Sequence, residues 1–370
     1  MADIKKFHNQ VHLVEKDIHM QRFLWRGMKE NIPPHVYSMI VNTFGVKPAN
    51  CIATSALHKS ADKFSNIYPV ESRELKEQTY IDDALIAAAD MEEAKLKTAR
   101  LDEICEHASM ENKGWTFSGD SSSSALSIGG EVDRCEDKVL GLLWDPKSDS
   151  FHFRVELRLD SKEDPVKCVE DVDKFPADGI TRRTMLSNVA KLFDPCGWWC
   201  PVLLEAKLLM RESWCGDVVG WDDPLPEDQA LRWRIFLKSL LNLKKTRFER
   251  SLWPEEKVKG LPMLVVFTDG SMLAYGGAAY IRWELEDGGY WSRLIMAKSK
   301  IAPKNRLSIP RMELNGAVLG NRLKNFLIKE TNFQFSKVYH LVDSSTVLGY
   351  VHKECGTFGP YQGIRIADLI

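Results

Sequence analysis

The sequence predicts a multidomain chain of the α/β and α+β classes. Three observations carry this. At 370 residues the chain is too long for one compact core, and its length suggests two or three domains. From Met263 onward, apolar strand-like runs and helical stretches follow in the order β-β-β-α-β-α, which is an α/β arrangement with a mixed sheet. Before that, residues 181–243 read as mostly helical, and residues 1–117 mix short strands with helices.

The elements follow in order. "ADIKKF" reads as a strand that begins at the second residue. "PPHVYSMIVNTFGVKPANCIATSALHKSA" has a turn-like centre at Gly45 and Pro48, then helical apolar spacing through Cys51, Ser55, Leu57 and Ala61. "DMEEAKLKTARLDEICEHA" has helical period with Met91, Ala94, Leu96, Leu101 and Ile104 inward. Asp90 is placed to cap it, with acidic residues in the first turn. The Ser/Gly/Asp-rich segment 118–137 is the clearest loop or linker. "KVLGLLWDPKSDSFHFRVEL" gives two β-rich arms around the turn "DPKSDS". Three helices follow in "TRRTMLSNVAKLFDP", "PVLLEAKLLMRESW" and "PEDQALRWRIFLKSLLNL", with Pro195 and Pro224 as punctuation. "RFERSLWPEEKVKGLP" is a second linker. The expected divisions are therefore 1–117, 118–137, 138–260 and 261–370.

Composition excludes some classes. Fifty basic and 52 acidic residues give a net charge of -2, so nucleic-acid binding has to come from local patches. "LNLKKTRFER" and "TRRTMLSNVAK" are the best basic patches for a duplex backbone. Trp198, Trp199 and Trp233 are large enough to stack on bases, but their helical spacing favours core packing. Eight cysteines are scattered without a C-x-x-C; the one close pair, in "CGWWC", reads as reduced core thiols. There is no apolar run of membrane-spanning length and no signal-peptide core, so no membrane partner is expected and an intracellular location is. Both chain ends read as cut from something larger.

Carboxylates carry the chemistry. "EQTYIDDALIA" sets Asp82 and Asp83 side by side in an apolar run, where adjacent carboxylates repel and are expensive to desolvate. The pair is either a plain hairpin turn or a divalent-metal site at a hairpin tip. Downstream, Asp269 ends one strand, Glu313 lies in a helix and Asp343 ends the next strand. Strand ends and a facing helix can gather three such acids. Oxygen ligands of this kind suit Mg²⁺ or Mn²⁺, and a pair of ions supports phosphodiester cleavage. Small residues Gly270, Ser271, Ser344 and Ser345 beside the acids leave room for this.

"FTDGSMLAYGGAAYI", "KNRLSIPRMELNGAVLGNRL" and "YHLVDSSTVLGYV" resemble the ribonuclease H domain of LTR retrotransposons. On that resemblance, Asp269, Glu313 and Asp343 match the first three metal ligands. "TYIDDALIA" resembles the Y-x-D-D hairpin of a reverse transcriptase, and "ADIKKFHNQV" its first palm motif, with Asp3 as the third acid. "NTFGVKPANCIATSALHKSA" resembles the template-contacting motif, and "KVLGLLWDPKSDSFHF" the primer-gripping hairpin. "TRRTMLSNVAKLFDPCGWWCPVLLEAKLLMRESW" and "GWDDPLPE" resemble the BEL/Pao group, in the region named Pao retrotransposon peptidase. The resemblance implies a Pol polyprotein fragment: a partial reverse-transcriptase palm (1–117), a primer-grip hairpin and helical thumb or connection (138–260), and an incomplete ribonuclease H-like domain (261–370). It implies RNA-directed DNA polymerase and ribonuclease H chemistry with Mg²⁺ or Mn²⁺. Asp3, Asp82 and Asp83 would form the polymerase metal site, Tyr80 would lie near the primer, and His8 would stand near the sugar 2′-position. The implied partners are RNA template, DNA primer, RNA–DNA hybrid, deoxynucleoside triphosphates and the rest of the polyprotein. The implied location is cytoplasmic, including virus-like particles.

The sequence also departs from the family. Asp3 lies nearly at the start, so the expected fingers region is absent; Phe7 is four positions after Asp3, and His8 takes the usual aromatic position five on. Asp368 lies too close to Asp343 to match the fourth ribonuclease H acid. These departures favour a second reading, a catalytically inactive remnant that binds nucleic acid. A third, aspartic proteolysis, needs a D-[ST]-G loop, and the chain has only "TDGS" and "VDSS".

Overall fold

In a computed structural model of the chain, the described residues are 1–119, 137–139, 142–155, 157, 166, 168–174, 179–215, 220–305, 307–353 and 357–370. The expected linker at 118–137 lies almost wholly outside them. The chain forms two compact units, Met1–Leu140 with Trp144–Asp149, and Gly141–Leu143 with Ser150–Ile370.

The first unit runs β1 (Ala2–Lys5), a 3₁₀ turn (Phe7–Gln10), α1 (Glu15–Ile18), β2 (Arg22–Trp25), β3 (His35–Ser38), α2 (Ala49–Phe64), α3 (Pro69–Glu77), β4 (Thr79–Tyr80), β5 (Asp83–Ala84), α4 (Met91–His107) and β6 (Glu111–Asn112). A four-stranded sheet in the order β4-β5-β1-β6 lies over α2, α3 and α4. Along β1, Ala2 and Ile4 are buried, while Asp3 and Lys5 alternate to the other face. Ile4 and Phe7 pack with Ala53, Leu57, Leu75, Leu101 and Ile104 in one core.

Two helix faces differ from the sequence reading. In α2 the inward stripe is Ala49, Ala53, Leu57, Ser60 and Ala61; Cys51 and Ser55 are exposed. Small alanines let α2 approach its neighbours, so the larger side chains do not mark the buried face. In α4, Leu101 and Ile104 are buried as expected, but Met91 and Leu96 are exposed, and Thr98 and Cys105 take the inward positions. Asp90 caps α4 by accepting the Glu93 N–H at 2.8 Å.

Next in the chain come β7 (Asp137–Val139), β8 (Leu142–Asp145) and β9 (Ser150–His152). The second unit continues with α5 (Val169–Lys174), α6 (Arg182–Ala190), α7 (Cys200–Glu212), α8 (Glu227–Leu243) and β10 (Phe248–Glu249). Then come β11 (Met263–Gly270), β12 (Ala274–Glu284), β13 (Tyr290–Ile301), α9 (Ile309–Glu330), β14 (Lys337–Val342), α10 (Ser345–Val351) and α11 (Pro360–Ala367). The sheet order is β13-β12-β11-β14, with β11 antiparallel to β12 and parallel to β14. This is the mixed sheet and the β-β-β-α-β-α order expected from Met263 onward.

Helices α6, α7 and α8 bury Met185, Trp199, Leu209, Trp233, Phe236 and Leu240 in one core. Trp199 and Trp233 are thus core side chains, and Trp198 is partly buried against the same cluster. The "DPCGWWC" stretch fixes α7 to β13. Asp194 accepts the N–H groups of Trp198 and Trp199 at 3.0 and 2.8 Å, which closes the turn. The Cys196 carbonyl then accepts the Ala297 N–H at 2.8 Å, and the Trp198 indole donates to the Ile295 carbonyl at 3.0 Å. The edge of β13 is therefore covered by this turn.

Candidate functional site

In the first unit, β4 and β5 form a hairpin with Tyr80 opposite Asp83. Ile81 and Asp82 make the turn. Ile81 sits at φ 59°, a left-handed conformation that a β-branched residue adopts at a cost of about 1–3 kcal/mol. The next pairing places Asp3 of β1 opposite Asp83 of β5, and the Ile4 N–H donates to the Asp82 carbonyl at 2.8 Å. Asp3, Asp82 and Asp83 are thereby gathered at one end of the sheet. Burial first, and then repulsion from Asp82 and Asp3, push the Asp83 carboxyl up to about 6, with Lys113 opposing. Lys113 is the cation nearest this charge: its ammonium pairs with the Asp3 carboxylate at 2.8 Å. Sequence reasoning missed it because it lies 110 residues from Asp3 and is brought there by β6.

The other two residues named for this site are placed differently. Tyr80 is exposed beside the aspartates. His8 lies in the 3₁₀ turn, and its Nε2 meets Asn50 Oδ1 at 2.6 Å. Phe7, next to it, is a buried core residue.

In the second unit, strand alternation decides where the acids point. Leu264, Val266, Thr268 and Gly270 are buried, while Phe267 and Asp269 are exposed. Two glycines let α9 press on the strand end. A Cβ at Gly270 would stand 2.5 Å from the Glu313 nitrogen, and one at Gly316 would stand 2.6 Å from the Asp269 carbonyl oxygen. Glu313 is thereby carried to the level of Asp269. Asp343 follows the last residue of β14, the strand that runs parallel beside β11. The Ser344 hydroxyl, which also caps α10, donates to the Glu313 carboxylate. The Asp269 carboxylate accepts the Gly270 N–H at 2.6 Å.

Asp269 and Asp343 line a cleft of about 770 Å³. Its other walls are Phe267, Ser271, Tyr275, Leu341, the start of α7 at Cys200, Pro201 and Leu204, and Lys298 and Ser299 of β13. Lys298 supplies a cation in this cleft, and nothing in its sequence neighbourhood pointed to it. Asp368 is placed otherwise: it pairs with Arg322 of α9 at 2.6 Å and so fastens α11 to α9.

The donor chemistry of both acid groups fits a hard divalent cation, since every ligand is a carboxylate oxygen. The accumulated charge at Asp3, Asp82 and Asp83 fits one as well. Convergence is the point of misfit: among the described residues, no three acidic, histidine or cysteine side chains are close enough to hold one ion. Glu313 would have to release Ser344 to share an ion with Asp269.

The two basic patches separate on inspection. Arg182 is buried; it donates to the Ser213 carbonyl and to the Gly220 carbonyl at 3.2 Å and lies over the Trp214 ring. Arg183 pairs with Asp222 at 2.6 Å. The expectation that "TRRTMLSNVAK" meets a duplex backbone is therefore corrected for Arg182: its charge is used on the Ser213 and Gly220 carbonyls. Lys244, Lys245, Arg247 and Arg250 remain exposed after α8.

Residues 181–344 match the family model described as Pao retrotransposon-like RNaseH-like domain. The match supports a Pao-type retrotransposon ribonuclease H region. It spans α6 to α8 as well as β10 to β14 and α9, and it contains Asp269, Glu313 and Asp343. A search of curated proteins finds no match. Among the described residues, no helix is long and apolar enough to cross a membrane.

Proposed function

We propose that the chain is a fragment of a Pao-type retrotransposon polyprotein whose second unit cleaves the RNA strand of an RNA–DNA hybrid. The carrying observation is the joint placement of Asp269 and Asp343 on one cleft, with Glu313 pressed against the same strand end by Gly270 and Gly316. In this reading Asp269, Glu313 and Asp343 would hold Mg²⁺ or Mn²⁺, which would supply activation of a water and stabilisation of the departing oxygen. The chain's own residues do the rest. Lys298 meets a phosphate of the hybrid in the cleft, and the exposed cations after α8 add sequence-independent attraction to its backbone. Ser344 orients Glu313 by donating to its carboxylate.

The first unit is read as part of a reverse-transcriptase palm. Asp3 and Asp82 would hold the ions, Asp83 would support them, Tyr80 would lie near the primer, and His8 would stand by the sugar of the incoming nucleotide. RNA template, DNA primer and deoxynucleoside triphosphates are the partners on this reading. The register that sets Asp3 opposite Asp83 supports it.

A second reading, a remnant that binds hybrid without turnover, is favoured by one observation, the engagement of Glu313 by Ser344. Two assays separate the readings. Mg²⁺-dependent cleavage of a labelled hybrid, abolished by chelator and by Asp343→Asn, supports the enzyme. Hybrid binding with no cleavage at any Mg²⁺ or Mn²⁺ concentration supports the remnant. Primer extension, compared with Asp82→Asn, tests the palm separately.

A further inference from the structure

The hairpin arm between the 3₁₀ turn and α2 carries none of the acids named for either site. Residues 14–41, all of them described, include no buried residue. Among the described residues, strands β2 and β3 pair only with each other, in the register Phe23↔Tyr37 and Trp25↔His35. An isolated two-stranded ribbon is marginal in water, so this one is expected to gain from a ligand.

Its two faces differ. Side chains alternate along a strand, so Phe23, Trp25, Tyr37 and His35 share one face, while Leu24 and Val36 share the other. Phe23 and Tyr37 are stacked across the strands, with centroids 5.7 Å apart and planes 25° apart. Phe23, Trp25 and Tyr37 are 44%, 47% and 46% exposed, so each keeps open surface on the ribbon. Phe23 and Trp25 are spaced by about 6.8 Å along the strand, twice the roughly 3.4 Å rise of stacked nucleotides. The charges near the rings are mostly positive: Arg26 and Lys29 are exposed in the loop after Trp25, Arg22 is exposed on the Leu24 face, and Glu30 is the lone acid between residues 19 and 38. An apolar protein partner would gain little from those cations. A polyanion carrying flat rings gains from both.

We infer that the β2–β3 ribbon is a stacking platform for single-stranded nucleic acid. Bases stack on Phe23, Trp25 and Tyr37, and Arg26 and Lys29 meet the phosphates. The inference extends the nucleic-acid reading above and rests on it.

The test uses the full chain and fluorescein-labelled 12-mers of oligo(dT) and oligo(rU), followed by anisotropy. Each stacked ring is expected to carry about five- to 100-fold in affinity. Phe23→Ala with Trp25→Ala should weaken binding at least tenfold with an unchanged circular dichroism spectrum. Arg26→Gln with Lys29→Gln should flatten the salt dependence. Unchanged affinity in the double aromatic variant overturns the inference. So does a concentration-dependent dimer that the same variant disperses, which would make the ribbon a self-association surface. Hybrid cleavage is scored in parallel. Cleavage without single-strand binding overturns the platform and leaves the proposed function standing; ring-dependent single-strand binding without cleavage does the reverse.

Discussion

Gly316 of α9 lies against the backbone of Asp269 on β11, and a Cβ added there would meet the Asp269 carbonyl oxygen at 2.6 Å. Backbone cannot give way as a flexible side chain can, so helix and strand must separate. Gly316→Ala is expected to destabilise the second unit by about 1–3 kcal/mol, seen as a lower urea midpoint. Hybrid cleavage should fall further than folded fraction does, because Glu313 moves away from Asp269. Gly349→Ala, in a helix where nothing lies within 4 Å, is the control and should be neutral or stabilising by up to about 1 kcal/mol.

Gly197 carries a heavier constraint. It sits at φ +73°, and a Cβ would stand 1.8 Å from the Ala297 carbonyl oxygen. Gly197→Ala should therefore break the Cys196–Ala297 hydrogen bond and release the turn from β13. A loss of about 3 kcal/mol is expected from strain and the lost contacts together. Amide exchange at Ala297 would report it directly, rising from protected to open.

Arg182 and Arg183 are neighbours with opposite fates. Removing Arg182 leaves the Ser213 and Gly220 carbonyls without their donor in a buried setting. Arg182→Ala should cost about 3 kcal/mol, whereas Arg183→Ala, on an exposed pair with Asp222, should leave stability nearly unchanged. If the two variants lower the thermal midpoint equally, the assignment of Arg182 to the Ser213 and Gly220 carbonyls is wrong.

The aspartate cluster should make stability depend on pH when divalent ions are chelated. Asp83 has its carboxyl raised to about 6 in the fold, above its ordinary value of 3.8. Between those values the folded state binds the extra proton, so the Asp83 contribution to stability is fully present below 3.8 and is lost as pH rises through about 6. Asp83→Asn should remove that contribution's pH dependence. A urea series in chelator on both proteins, from acid to neutral pH, checks the sign: a stability difference, unaltered chain minus variant, that rises with pH over that window contradicts it.

Much of this was legible in the sequence, and the reasons differ by residue. The order from Met263 to Val351 could be read because each strand and helix carries its own period, and α9 runs over the residues its apolar spacing marked. Asp269, Glu313 and Asp343 could be named because strand ends and a helix start are local features. Their packing could not be foreseen, since it depends on Gly270 and Gly316 approaching backbone far away in sequence. The same holds for Lys113, which reaches Asp3 only through the pairing of β1 with β6. The inward face of α2 was read in part: Leu57 and Ala61 are buried as their spacing marked, but Ala49, Ala53 and Ser60 complete the face where Cys51 and Ser55 were named, because small side chains give little apolar signal. Arg182 was read as a surface cation because nothing local reveals a carbonyl cage that closes from residues 213 and 220.

The measurement that bears most directly on the central claim is cleavage of a labelled RNA–DNA hybrid with Mg²⁺ or Mn²⁺ by the full chain and by Asp269→Asn. Asp269 touches the cleft but buries no side chain in the core, so the variant should keep its fold. The account predicts metal-dependent cleavage of the RNA strand by the unaltered chain, lost at least about 100-fold in the variant. Equal cleavage by both proteins, or none by either while the chain is folded and the hybrid is bound, contradicts it.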